Sequence, residues 1–496
     1  MNTTPYTPRI LGLLIASLFV SNQSQANPPA PNALPTGGTV TSGIGSISSI
    51  GNALSVTQGS QNLFTQFDTF NIGSAASVQF LQPGSNAIAV GRILGADPSQ
   101  IYGRLTANGQ LFLLNPNGIV FGPSAQVNVG ALVASSLQLT DKDILSGQYA
   151  FTHGAQGGAV RNFGEIVARE GGLVALVSPK VENAGTIRAD GGQIALLAGD
   201  AVRLELGQGG LIGVSVDGGA AQAQIDNSGS LLADGGKVWM TARQAGDLVG
   251  SAINQTGVVR ANTVAQRNGE IWIDGGPQGR VTLDGQTLAM GTGAADVGGK
   301  ISATAGDVVV RGQVNASGGK GKGYIEIGGG FQGKNARLAN ANTTTLERTA
   351  EVKANATVDG DGGTAVVWSE NKSSVAGVIQ AKGAGQGAGG LVETSSRGVL
   401  GSSAAVDVSA ESGNHGMWLL DPTTITISNP PSTNPGNGSA TNTVNTVDAA
   451  TISNALTTGA NVTVMGTEGI NIDADISKTG GARSSLMFIA PGTINL

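Results

Sequence analysis

The sequence predicts an all-β chain wound as a parallel β-helix, with coils of about 21–22 residues. Three observations carry that reading. Glycine supplies 79 of 496 residues while aromatic residues make up only 4%, and that many glycines suit turns between short strands rather than helix interiors. The apolar residues, mostly Val, Ile, Leu and Ala, fall in short alternating runs, the period of a strand. The chain also echoes itself: Asn162 opens NFGEIVAREGG, Asn183 opens NAGTIRADGG and Asn227 opens NSGSLLADGG.

The N-terminus comes first. Arg9 precedes ILGLLIASLFV (residues 10–20), an apolar run too short to span a bilayer. SNQSQA follows, placing Ser24 and Ala26 at the −3 and −1 positions of a cut before Asn27. Residues 1–26 therefore read as a secretory signal peptide cleaved between Ala26 and Asn27. No later stretch approaches 18 uninterrupted apolar residues, so no transmembrane helix is expected in the mature protein. The net charge of −6 without a basic cluster weighs against nucleic acid or an anionic membrane as partner. The absence of Cys excludes disulfides, thiol catalysis and Cys-ligated metals, and it suits passage through an oxidising periplasm.

Residues 111–122, LFLLNPNGIVFG, set a polar tetrad inside an apolar run. In a β-helix the two apolar halves are strands on adjacent walls and Asn115-Pro116-Asn117-Gly118 is the corner. Pro116 fixes φ near −65°, Asn117 and Gly118 tolerate left-handed backbone, and the Asn115 and Asn117 amides satisfy backbone groups the corner leaves unpaired.

The echoes define the shaft. Asn183 follows Asn162 by 21 residues, and Asn227 follows Asn183 by 44, read as two periods of about 22. Looser copies run to GVIQAKGAG from Gly377. Roughly 18 coils over residues 35–420 would make a rod on the order of 85 Å long. Asp190 and Asp234 share a repeat position, two coils apart on this count, and Asp before Gly-Gly is read as turn chemistry rather than a cation site.

Nothing points to catalysis, a cofactor or a metal. His153 and His415 both sit in Gly-rich turn contexts with no Ser-Asp partnership nearby. GQGAGG (385–390) matches a dinucleotide fingerprint by letters, but the strand-like LVETSS follows where a helix is required. GGKGKGYIE (318–326) has Gly323 where a calcium-binding repeat needs Asp. β-Helix enzymes that act on carbohydrates remain the less favoured alternative, since fold alone gives no activity.

Residues 71–136, with SQIYGRLTANGQ (99–110), the tetrad plus Ile119, and SAQVNVGALVASS (124–136), resemble the secretion domain of two-partner secretion exoproteins, the filamentous haemagglutinin family. The second tetrad of some members, Asn-Pro-Asn-Leu, is absent. The resemblance implies a right-handed β-helix, a secretion domain over residues 27–300, and Asn115, Pro116, Asn117, Gly118 and Ile119 as its secretion motif. It also implies export through the periplasm, recognition by a dedicated outer-membrane β-barrel transporter, and release outside the cell or at its surface. The function it implies is that of an adhesin or haemagglutinin. The alternatives are the N-terminal part of a cytolysin, a haem-acquisition protein or a contact-dependent toxin.

Beyond residue 300 the shaft is expected to continue over 301–427 and end in GNHGMWLLDPTTITIS (413–428). The Pro/Asn/Ser/Thr-rich stretch 428–446 reads as a linker. A further β-helical segment is expected over 447–496, where regular patterning resumes with NVTVMGTEGINIDADI and SSLMFIAPGTINL and stops at Leu496 without a polar cap, which reads as part of a larger exoprotein.

Overall fold

The Gly-Gly turns explain how the coils stack. A computed structural model describes residues 27–496 apart from 153, 155–156, 208–209, 246–249, 266, 430–445 and 482. The expected leader with its cleavage residue Ala26, His153 and most of the expected linker thus lie outside the described residues. In the coil that follows Asn162, the turn runs Asp190-Gly191-Gly192. Gly191 takes φ +62, as Gly171 (+75) and Gly235 (+71) do at the equivalent places. A Cβ on Gly192 would lie 2.0 Å from the Gly172 carbonyl oxygen, so only glycine lets successive turns nest at the coil spacing.

Each coil has three walls. One coil presents Lys180–Asn183, Thr186–Arg188 and Gln193–Ala198 in turn. Each strand pairs in parallel with its counterpart in the coils before and after. Alternate residues point inward, and Val181, Ile187, Ile194 and Leu196 are fully buried in an interior of aliphatic side chains. Each such side chain contributes about 1.5–3 kcal/mol on burial. This is the all-β parallel β-helix the sequence predicts.

Coil length departs from the expectation. Glu165 pairs with Thr186, 21 residues on, but Thr186 pairs directly with Ser230, 44 residues on. The longer step is therefore one coil, not two. The excess is a hairpin, Ala201–Gly207 and Gly210–Gly218, that leaves the coil and pairs antiparallel with Tyr149–Thr152. Asp190 and Asp234 consequently lie on neighbouring coils, where each carboxylate meets an arginine, Arg188 and Arg260. Further along, Ser230, Val258, Gln286 and Gln313 succeed one another in the second wall at steps of 27–28 residues, because the arcs between walls lengthen. From Ala53–Gln58 to Ala405–Asp407 the second wall stacks 13 strands among the described residues. That corresponds to about 60 Å, shorter than the expected rod.

Antiparallel strands close the N-terminal end. Thr39–Ser42 pairs with Asn62–Phe67, and Gly45–Ile50 pairs with Ala53–Gln58. Leu34, Val40 and Ile47 pack against the end of the core. The hairpin, Tyr149–Thr152 and the short helix Asp141–Leu145 cover the outer face of the third wall. A second apolar cluster forms there, with Phe112, Val133, Phe151, Val177, Leu197, Val202 and Leu204 buried. This is why Leu173–Ser178 is buried on both faces.

At the C-terminal end the ladders cross the expected linker. Met417–Leu420 pairs with Asn461–Met465, and Thr424–Ser428 with Gly469–Ile472. A helix, Ala449–Thr457, takes the place of a second-wall strand, with the Asp448 side chain accepting from the Ala450 amide at its N-terminus.

Candidate functional site: the Asn115–Ile119 corner

The strand Arg104–Leu114 brings LFLL along the third wall, and Ile119–Phe121 starts the first wall of the next coil. Between them the Gly118 amide donates to the Asn115 carbonyl (2.9 Å), closing a turn with Pro116 at its second position. Gly118 takes φ +107. Asn117 is not left-handed, so of the two residues expected to adopt that conformation only the glycine does. A Cβ on Gly118 would stand 2.6 Å from the Ala159 carbonyl oxygen.

Both asparagine amides are directed into the protein. Asn115 is fully buried. Its Nδ2 donates to the Asp97 carbonyl and to Ser99 Oγ, each at 3.0 Å, and its Oδ1 accepts from the Asn117 amide at 3.0 Å. Asn117 Nδ2 donates to the Gly95 carbonyl at 2.8 Å. On the other side, the Gly158 amide donates to the Pro116 carbonyl and the Ile119 amide to the Ala159 carbonyl, both at 3.0 Å. Ile119 is fully buried in the first wall between Ser99 and Val160. Thus the five residues tie together segment 95–99, their own turn, and segment 158–160 of the following coil. Two coils further on, the corner Ser178-Pro179-Lys180 has a single hydroxyl in this role, Ser178 Oγ, which accepts from the Val160 amide and donates to the Lys180 carbonyl.

The remaining candidates separate. Asn27 is exposed at the start of the described chain. The His415 imidazole accepts from the Ala410 amide through Nδ1 at 3.0 Å, a turn contact. GQGAGG is a turn with Gly385 at φ +60, followed by the strand Leu391–Thr394. Among the described residues there is no group of three or more His, Asp or Glu side chains placed to hold a metal, and no helix long and apolar enough to cross a membrane. The repeat-opening asparagines form a feature that sequence spacing marks without explaining. Asn162 donates to Asn183 and Asn183 to Asn227, each at 2.8 Å, as a buried ladder between the first and second walls.

These features define the class of fold: a capped parallel β-helix whose coils are stitched together at one polar corner. Comparison with known proteins places it further. The profile of the TPS (two-partner secretion) secretion domain matches residues 32–283, and the chain belongs to that family. Members are exoproteins secreted across the outer membrane to the extracellular space or cell surface. The crystal structure of the HMW1 secretion domain from Haemophilus influenzae superposes with a TM-score of 0.68 at 28% identity, covering 78% of this chain and all of that one. A heme/hemopexin-binding protein of Haemophilus influenzae is 31% identical over 193 residues, which is 38% of this chain and 21% of the relative. A second protein of the same name is 38% identical over 99 residues, 20% of this chain and 11% of the relative. The chain thus spans about a fifth or less of the length of these curated relatives.

Proposed function

We propose that this chain is the N-terminal part of a surface exoprotein, an adhesin, handed to a dedicated outer-membrane β-barrel transporter whose periplasmic domains recognise the region around Asn115–Ile119. The chain crosses the inner membrane by residues 1–26, is cleaved between Ala26 and Asn27, and folds outside as its coils emerge. No catalytic step is part of this reading. The observation that supports it is the corner itself: Asn115, Gly118 and Ile119 are buried in the folded protein, and their partners lie on the turns before and after. Transporter contact with the Asn115 side chain therefore belongs to the unfolded chain, and the corner's hydrogen bonds belong to the first coils folded after passage. Solenoid coils contact only their neighbours, so those coils template the rest. The test is export from a Gram-negative host with and without the cognate transporter. The chain is expected in the medium only when the transporter is present, and equal release without it would overturn the proposal.

A second cargo reading is haem acquisition, favoured by the names of the two curated relatives. It is tested by titrating the purified secreted protein with haemin and with hemopexin. Saturable binding to either favours this reading, and cell adhesion without such binding favours the adhesin.

A further inference from the structure

The outer face of the third wall carries two buried glutamates that neither the coil stack nor the secretion corner uses. Tyr324–Ile327 and Leu391–Thr394 are third-wall strands separated by Thr364–Val367. On the outward register, Glu326 and Glu393 flank Val366, and both are buried, at 1% and 0% exposure. What buries them is residues 328–342, which cross the wall before the chain resumes at Thr343–Leu346.

That segment is held chiefly by polar contacts. The Glu326 carboxylate accepts from Asn335 Nδ2 of the crossing segment (2.8 Å) and from Ser302 Oγ (3.0 Å), and it pairs with Lys300 (3.0 Å). Glu393 is less well provided for. Its Oε2 accepts from the Gln332 amide at 2.9 Å, while its Oε1 is buried with Ser395 nearby but with no hydrogen bond of good geometry. Gln332 reaches this position with φ +52, a left-handed conformation that a side chain disfavours. Its own Nε2 donates to Asp421 Oδ2 at 3.3 Å, and Lys334 Nζ donates to its Oε1 at 2.8 Å. Trp368 lies under Gly333, where an added Cβ would meet the indole at 2.5 Å, and Leu338 is the segment's buried apolar anchor.

We propose that residues 328–342 are a pH-gated strap, seated on the third wall while the Glu393 carboxyl is protonated and lifted when that carboxyl ionises. A buried carboxylate with one oxygen lacking a well-formed hydrogen bond is costly, and lifting the strap hydrates it and releases the strained Gln332 backbone. Burial is the main cause that pushes the Glu393 carboxyl from its usual 4.5 up to about 7, and Asp421, just past the end of the next strand Met417–Leu420, adds to it. The Gln332 amide, Ser395 and Lys334 act the other way. Asp421 is itself shifted upward by burial, so it reinforces the same direction. Glu326, with Lys300, lies beyond Val366. Because the seated strap binds the proton more tightly than open solvent does, seating is strongest below about 4.5 and is lost as pH rises through about 7.

Hydrogen–deuterium exchange of the full chain at pH 5.5 and pH 8.5, corrected for intrinsic exchange, tests this. Amides of 328–342 should lose about tenfold or more in protection at the higher pH, while those of Gln193–Ala198 hold. Glu393→Gln, neutral at both values, should abolish the step. Asp421→Asn should move its midpoint to lower pH. Equal strap protection at both pH values, or a step that survives Glu393→Gln, overturns the proposal. Should Glu393→Gln fail to fold, an unmoved midpoint in Asp421→Asn overturns it instead.

Discussion

Asn183 and Asn227 are 44 residues apart in the chain and adjacent in the ladder, with Asn183 Nδ2 donating to Asn227 Oδ1 at 2.8 Å. Asn162 donates to Asn183 in the same way, so Asn183 serves as donor on one side and acceptor on the other. Replacing Asn183 by Ala leaves the Asn162 amide nitrogen and the Asn227 oxygen buried without these partners, a cost of about 1–3 kcal/mol for each group. Asn162→Ala removes only the end of the row, so it should lower the denaturation midpoint less than Asn183→Ala. Chemical denaturation of the two variants side by side checks the order.

The first and second glycine positions of these Gly-Gly turns should behave differently. Gly171 has φ +75 and open space where a Cβ would stand, so Gly171→Ala should cost about 1–2 kcal/mol for left-handed backbone alone. Gly192→Ala places its Cβ 2.0 Å from the Gly172 carbonyl oxygen and must force two coils apart, at about 3 kcal/mol or more. Thermal melts of the two single variants measure the difference.

The outer sheet should come away without dissolving the helix. Val202 and Leu204 are buried against the third wall but belong to the hairpin, outside the coil path. Val202→Asp with Leu204→Asp should expose residues 201–218 to limited proteolysis, while the parallel register of Lys180–Asn183 with Gln224–Asn227 survives. Retained far-UV circular dichroism, together with cleavage confined to that segment and its neighbour 149–152, is the expected pattern.

Much of this architecture is written in local patterns. Gly-Gly after Arg-Glu or Ala-Asp, and Asn at the head of each echo, mark turns and corners that recur because neighbouring coils nest. Coil length is not written there. The strands AVRLELG and GLIGVSVDG alternate just as wall strands do, and alternation is blind to whether a strand pairs in parallel within the stack or antiparallel outside it. The helix Ala449–Thr457 does carry a signal, since Asp448 caps it and the buried Ala449, Ile452, Ala455 and Leu456 recur at helical spacing. Glu326 and Glu393 stand at outward strand positions, where the sequence implies solvent. Only the path of residues 328–342 buries them. At the secretion corner the sequence shows the turn and the value of the two amides, but not their partners, because Gly95, Asp97 and Ser99 come from the preceding turn of the coil.

The central claim, that Asn115–Ile119 governs export through the first coils to fold, is tested most directly by quantifying secretion of paired variants with the cognate transporter present. Asn115→Ala with Asn117→Ala removes five hydrogen bonds tying adjacent turns and the corner itself. Asn227→Ala with Asp234→Ala is the matched loss deep in the shaft, removing a buried ladder bond and the Arg260 ion pair. Each unsatisfied buried group costs about 1–3 kcal/mol, little for a long rod but much for coils that must fold before their neighbours exist. The corner variant should be scarce in the medium and degraded in the periplasm, while the shaft variant is secreted near normally. Equal secretion of the two would contradict the account and leave Asn115–Gly118 as one turn among many.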